Sequence, residues 1–136
     1  IGEHSFSYCS ALTSVSLSNS MTTISDNSFS WCKSLIAIFI PNSIVIIGNW
    51  TFSGCKSLSS VVIPDSVAEI GEYAFSGCDA LTSISLPNSV TAIGKNAFHG
   101  CPTLTLTVLR NSYSLNYAEN NNIPYTYPDA NDWLNN

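Results

Sequence analysis

Five cysteines stand at Cys9, Cys32, Cys55, Cys78 and Cys101, each 23 residues from the next. Thiolates ligate zinc, but zinc sites want pairs spaced like C-x₂-C. One cysteine per 23 residues supplies no such pair. Disulfides are a second option, because stacked coils would bring neighbouring Cα atoms within bridging range. Side chains in a ladder run parallel, however, and an odd number cannot pair completely. The five are therefore read as buried free thiols that pack as small apolar groups. Read that way, they argue for no oxidising compartment.

The remaining reactive residues do not converge. His4 and His99 fall in different columns of the pattern described below, with no Cys, Asp or Ser partner at a fixed spacing. Serine is abundant, yet no G-x-S-x-G element occurs. Glu3, Asp26 and Glu72 share a column with Asn49 and Lys95, which reads as an exposed rim. Asp129-Ala130-Asn131-Asp132 has a trace of a calcium loop but lacks its Gly and distal Glu. Asn49-Trp50-Thr51 is a formal glycosylation sequon. No region unites a nucleophile, a base and a pocket, so the chain is read as non-enzymatic, without metal or cofactor.

Composition narrows the partners. The chain has 136 residues, 45% of them apolar and 10% charged, with a net charge of −5 and four Lys plus Arg. That is enough apolar content for one core and too few cations for phosphate-based nucleic-acid binding. No run of about 18 apolar residues encodes a membrane span, and no signal peptide is present. The chain opens at Ile1-Gly2-Glu3, without Met and inside a repeat. It reads as a piece of a longer protein, whose destination the missing signals leave open.

The elements that hold these residues follow one period. Phe6, Phe29, Phe52, Phe75 and Phe98 keep the 23-residue step, as do Ile1, Ile24, Ile47, Ile70 and Ile93. Leu12, Leu35, Leu58, Leu81 and Leu104 follow each Cys by three. Such self-similarity is the signature of a repeat architecture. Each unit holds a short alternating stretch: Val15/Leu17, Ile38/Ile40, Val61/Ile63 and Ile84/Leu86 point inward, as on a strand. Pro41, Pro64 and Pro87 end the strands, because proline cannot donate to a ladder. Asn42-Ser43, Asp65-Ser66 and Asn88-Ser89 then bend the chain through side-chain-to-backbone bonds. Gly2, Gly48, Gly71 and Gly94 suit turns of positive φ, with Ser25 departing. The stretch up to each Cys is too short for a regular helix and predicts a helical turn or 3₁₀ piece.

One coil cannot bury its own apolar side; stacked coils can, with strands pairing in parallel about 4.8 Å apart. The repeats are 1–23, 24–46, 47–69, 70–92 and a partial 93–110. After Cys101 strict register would put Leu104, Thr107 and Leu109 inside, whereas simple alternation puts Leu104, Leu106 and Val108 there. A polar Thr107 fits a core poorly, so the spacing predicts a one-residue slip. Residues 111–127 form a cap: Asn111 or Ser112 is an N-cap for a short helix through Tyr113, Tyr117 and Ala118. Ile123-Pro124-Tyr125-Thr126-Tyr127 then makes an extended closing segment. Residues 128–136 read as a linker. The leading edge of the first coil is bare, which predicts end-to-end self-association.

The unit I-G-x-x-A-F-x-G-C-x-x-L-x-x-I-x-L-P-x-S-V is complete at 70–90 and nearly so at 47–67. It resembles the BspA-like leucine-rich repeats, also called the Treponema pallidum type, over about residues 1 to 127. Asn111 to Glu119 followed by Asn122-Ile123-Pro124-Tyr125 is similar to that family's C-terminal cap. The resemblance implies a leucine-rich-repeat solenoid, a mostly β horseshoe of the α/β type. It implies one short parallel strand per coil on the concave side, turn or 3₁₀ segments on the convex side, and a helix-plus-strand cap. The chain departs from the better-known leucine-rich consensus, whose Asn/Cys ladder position after the strand is absent in that register. The resemblance further implies an extracellular or cell-surface protein of adhesive type, binding a host matrix protein or another microbial surface protein. A structural spacer and an intracellular scaffold are the alternatives.

The outward strand positions are Ser14/Ser16, Ala37/Phe39, Ser60/Val62, Ser83/Ser85 and Thr105/Thr107. Most are small and hydroxylated. Phe39 and Val62 make one apolar spot on adjacent rungs, and exposed apolar patches mark interaction sites. Ala37, Phe39, Ser60, Val62, Ser83 and Ser85 are the candidate protein-binding residues. On the opposite side, Trp50 and Tyr73 share a variable column and are placed to stack, while Tyr8 and Trp31 replace the Gly of positions 54, 77 and 100.

Overall fold

The computed structural model describes residues 2–128. The chain winds into stacked coils of about 23 residues, each buried against the next. On one side run β1 (Ser14–Ser16), β3 (Ala37–Phe39), β5 (Ser60–Val62), β7 (Ser83–Ser85) and β9 (Thr105–Thr107). With β10 (Tyr125–Thr126) they form a parallel six-stranded sheet in the order β1-β3-β5-β7-β9-β10. The middle residue of each strand points inward: Ile38, Val61, Ile84 and Leu106 are buried between exposed or half-buried neighbours.

The one-strand-per-coil expectation is incomplete. A second parallel sheet joins β2 (Thr23–Ile24), β4 (Ile46–Ile47), β6 (Glu69–Ile70) and β8 (Ala92–Ile93). Two-residue strands carry no full alternation for a sequence pattern to display.

The turn side has a ladder of its own. Asn27, Phe29 and Trp31 donate N–H bonds to Asn49, Thr51 and Ser53 of the next coil at 2.9, 3.0 and 2.7 Å. The residues between them close local turns instead: Ser28 N–H to Ser25 O, Ser30 N–H to Asn27 O, Cys32 N–H to Phe29 O, at 3.2, 3.3 and 3.2 Å. Alternate residues therefore face alternate partners, so these are linked turns and not a 3₁₀ helix. The geometry places two residues per coil in the left-handed region. His4, Asn27, Trp50, Tyr73 and Asn96 have φ of 56 to 61°; Tyr8, Trp31, Gly54, Gly77 and Gly100 have φ of 62 to 75°.

That reassigns the glycines. Gly2, Gly48, Gly71 and Gly94 are not left-handed. A Cβ on Gly48 would lie 2.8 Å from Asp26 N and Ile24 O, and one on Gly71 2.6 Å from Asn49 N. Close approach of successive coils, not positive φ, demands glycine at positions 48, 71 and 94. The bend after each proline is also made differently from the expectation. Ile44, Val67 and Val90 N–H bond to the carbonyls of Pro41, Pro64 and Pro87, each at 3.1 Å, so the backbone closes the turn.

The core is a set of ladders. Phe6, Phe29, Phe52, Phe75 and Phe98 stack at centroid spacings of 5.3 to 5.7 Å. Phe29, Phe52 and Phe75 are fully buried, each contributing about 1.5–3 kcal/mol of apolar transfer. Ile24, Ile47, Leu35, Leu58 and Leu81 line the same interior.

At the C-terminal end the slip is present. β7 pairs with β9 as Ser83↔Thr105, one residue short of the usual step, and buries Leu104, Leu106 and Val108 while Leu109 is exposed. The helix α1 (Tyr113–Asn120) starts at the N-cap Ser112, whose hydroxyl accepts from Leu115 N–H at 3.0 Å. It stops at Asn121. Its tyrosines cover the open edge of the second sheet: Tyr113 OH accepts from Ile93 N–H at 3.1 Å and Tyr117 OH donates to Gly94 O at 3.4 Å. β10 covers the edge of β9. The expected linker lies, but for Pro128, outside the described residues, as does the Asp129–Asp132 stretch.

Candidate binding surface

The outer face of the six-stranded sheet carries every candidate residue. Ala37, Phe39, Ser60, Val62, Ser83 and Ser85 are all exposed, because each flanks an inward strand residue. Phe39 is 63% and Val62 77% exposed. They extend the β3–β5 register by one residue past Ile38↔Val61. Two depressions adjoin them. One, of about 510 Å³, is lined by Ser14, Ser16, Ala37, Phe39, Ile40 and Val62 among others. The other, of about 560 Å³, takes in Val62, Asp65, Ser85, Pro87 and Leu109. Val62 belongs to both. The same column holds Ser16, Ser85 and Thr107 in other coils, so the fold does not require an apolar group at Phe39 or Val62.

The turn side bears the aromatic residues. Trp50 stacks on Tyr73 with centroids 4.1 Å apart and planes 4° apart, as their shared column implies. Tyr8 stacks on Trp31 at 6.5 Å. The far side of the Trp31 ring covers Gly54, where a Cβ would fall 2.5 Å from Trp31 Cδ2. Lys56 places its ammonium 5.6 Å from the Trp31 ring and pairs with Asp79 at 3.3 Å.

The thiols are free and run as a ladder. Cys32, Cys55, Cys78 and Cys101 each donate Sγ–H to the carbonyl of the Phe 26 residues earlier, at 3.0, 3.1, 3.3 and 3.1 Å. Sequence reasoning gave them only an apolar role; a thiol fixed one rung above a carbonyl is also a donor. Burial pushes Cys55 up to about 12 and Cys101 up to about 11, and raises Cys78 as well. Such thiols stay protonated and make poor nucleophiles or metal ligands.

The rim column is more than exposed charge. Asp26 Oδ1 accepts from Asn49 N–H, and Asn49 Oδ1 accepts from Glu72 N–H, each at 2.8 Å. Acceptor side chains at the same position of consecutive coils were the available signal. His4 Nδ1 lies 3.3 Å from Ser7 Oγ within the first coil, while His99 lies beside the cap. Among the described residues no group of three or more His, Cys, Asp or Glu could hold a metal ion, and no helix is long and apolar enough to cross a membrane.

The family model for the BspA type leucine rich repeat region matches residues 1–122 in six copies. No curated protein matches the chain. Solved structures of leucine-rich repeat proteins are similar, among them the following three. The leucine-rich repeat protein of T. pallidum is 35% identical with a TM-score of 0.77, over 79% of this chain and 50% of its own. One from Bacteroides ovatus is 38% identical with a TM-score of 0.75, over 80% of this chain and 28% of its own. A leucine rich cell surface protein of Faecalibacterium prausnitzii is 35% identical with a TM-score of 0.79, over 87% of this chain and 31% of its own. The chain thus spans half or less of the length of each. Repeats of this kind generally serve protein interaction. With its stacked Phe, Cys, Leu and Ile columns and that match over nearly all its length, the chain belongs to the BspA-type leucine-rich repeat family.

Proposed function

We propose that the chain is a non-enzymatic protein-binding module of an adhesin-like surface or secreted protein. It binds through the outer face of the six-stranded sheet, at Ala37, Phe39, Ser60, Val62, Ser83 and Ser85. The observation that carries this reading is the exposure of Phe39 and Val62 on adjacent strands, where sibling coils carry hydroxyls. Two exposed apolar side chains beside shallow depressions are what a partner's apolar anchor needs, and the ladders of the interior keep that face rigid. The surface location draws support from the likeness to a cell surface protein of F. prausnitzii. The partner class is a host matrix protein or another microbial surface protein.

Immobilised matrix proteins and microbial surface proteins test the reading against Phe39→Ser and Val62→Ser. Both variants place the sibling residue in the column, so the coil is kept. A tenfold or greater loss of affinity (about 1.4 kcal/mol) is expected for a ligand that the wild type binds. Unchanged affinity overturns the site, and a wild type that binds none of them favours a spacer. End-to-end pairing through coil 1 is a second proposal for the 136-residue chain by itself, motivated by Phe6, 39% exposed at the end of the spine; a monomeric mass in dilute solution overturns it.

A further inference from the structure

A second site lies where the fifth coil meets the cap. Left-handed residues at intervals along each turn segment aim a row of N–H groups to one side of the coil. At each of the four junctions between coils, three such groups donate to carbonyls of the next coil, at 2.7 to 3.2 Å. Tyr73, Phe75 and Gly77, for example, donate to Lys95, Ala97 and His99 at 3.0, 2.7 and 2.7 Å. In coil 5 the row is Asn96, Phe98 and Gly100, with φ of 56° at Asn96 and 75° at Gly100. These three N–H groups meet no acceptor among the described residues.

The same direction along the stack leads from coil 5 to the cap. A cavity of about 120 Å³ lies there, lined by Asn96, Phe98 and His99 of the coil and by Tyr117, Asn121 and Ile123 of the cap. Phe98 is only 5% exposed, and a buried donor left unpaired costs more than an ordinary hydrogen bond contributes. The polar side chains around the cavity are engaged elsewhere. Tyr117 OH donates to Gly94 O at 3.4 Å, Asn121 Nδ2 to Tyr117 O at 2.8 Å, and Asn96 Nδ2 to Tyr73 OH at 2.9 Å. The cap thus covers the apolar end of the stack without replacing the row of carbonyls that a further coil brings.

The chemistry of the row selects its ligand. The carbonyls of Lys95, Ala97 and His99 are turned back to coil 4, where they accept from its N–H groups. What faces the cap is therefore a line of donors without alternating acceptors. An added β-strand would bring donors as well as acceptors and leave its own N–H groups unpaired, whereas a carboxylate only accepts. None of the six lining residues is acidic, and the imidazole of His99 can carry positive charge. The volume suits a carboxyl group with a carbon or two, and falls well below the roughly 300 Å³ at which sites for larger organic ligands begin. We propose that the junction of coil 5 and the cap is a carboxylate-binding site, with the N–H groups of Asn96, Phe98 and Gly100 as its donors. The carboxylate is supplied by a partner protein, from an acidic side chain or a free C-terminus.

Nuclear magnetic resonance of the full chain, titrated with sodium acetate up to tens of millimolar and with sodium chloride as the control, tests this. Acetate is expected to move the amide protons of Asn96, Phe98 and Gly100 downfield and to slow their exchange. Their counterparts in coil 3, Phe52 and Gly54, stay in place, because both already donate to coil 4 at 2.8 Å. Two peptides distinguish the sources: acetyl-Ala-Ala with a free C-terminus, and acetyl-Ala-Asp-Ala closed as an amide. The natural source is the one that binds more tightly than acetate. Asn121→Asp places a carboxylate at the cavity with almost no change in volume, and is expected to weaken acetate binding several-fold. Phe39→Ser leaves acetate binding unchanged, which separates this site from the sheet face. The proposal is overturned by shifts that chloride reproduces, by the absence of any shift at the three amides, or by undiminished acetate binding in Asn121→Asp.

Discussion

The thiol of Cys55 donates to the carbonyl oxygen of Phe29, one coil back, at 3.1 Å. That carbonyl also accepts the N–H of Cys32 at 3.2 Å, so the turn of one coil and the side chain of the next meet on a single oxygen. The cysteine column is thus part of the stacking mechanism. Cys55→Ala removes buried sulfur contacts and the bond together, at about 1–3 kcal/mol. Cys9 is half-buried and makes no such bond, having no described coil before it. Cys9→Ala is expected to be clearly milder in chemical denaturation; equal losses would mean that the carbonyl bond contributes nothing.

Thiol chemistry should separate the same residues by pH. Desolvation is the main cause of the upward shift at Cys55, to about 12, and at Cys101, to about 11, from an ordinary value of 9.0. Native protein binds more protons than the unfolded chain between those values. The stability this gives is complete below about pH 9 and is lost as pH rises toward 11 and then 12. Alkaline titration followed by circular dichroism should therefore show the midpoint of denaturation falling above pH 9. A flat profile from pH 8 to 12 would contradict it. An aromatic disulfide reagent at pH 8 should label Cys55 and Cys78 only after unfolding.

Side-chain periodicity read the stack well because ladders repeat identity as well as polarity. Phe52 lies over Phe29 and under Phe75, and one column of one residue type announces that. Phe39 and Val62 were legible for the opposite reason, as departures from a hydroxylated column. Backbone geometry was harder. Gly71 and Gly77 look alike in sequence, yet one is needed for the approach of coil 3 and the other for a φ of +72°. Tyr8 and Trp31, at φ 62° in the second of these columns, concealed its left-handed character. The ladder of Asp26 and Asn49 was missed because its partners are backbone amides, which a sequence does not display.

Gly54 and Trp31 give a direct test of that geometry. A Cβ on Gly54 would enter the Trp31 ring, whereas one on Gly77 would lie 3.7 Å from Gly54 N. Both substitutions to Ala meet the left-handed penalty of about 1–2 kcal/mol. Gly54→Ala must also displace the indole, so it is expected to cost at least about 1 kcal/mol more. In a Trp31→Gly background the difference should vanish, and the double-mutant cycle measures it. A difference that survives without the indole would place its cause elsewhere.

The cap makes the last case. Tyr113 is the acceptor for Ile93 N–H at 3.1 Å, on the outer edge of β8, where a further coil would otherwise supply a carbonyl. Tyr113→Phe keeps the ring but leaves that N–H unpaired, at about 1 kcal/mol. Tyr117 bonds at 3.4 Å and also packs its ring edge-on to Phe98, with centroids 6.4 Å apart. Tyr117→Phe retains the ring contact and loses only the long bond, so its effect should be smaller. Hydrogen exchange distinguishes a local from a global role: in Tyr113→Phe the Ile93 amide should exchange faster than the overall loss of stability explains, while the amides of coils 2 and 3 follow that loss. If Ile93 keeps its protection, the helix closes the stack by covering apolar surface, and the tyrosine hydroxyl is incidental to it.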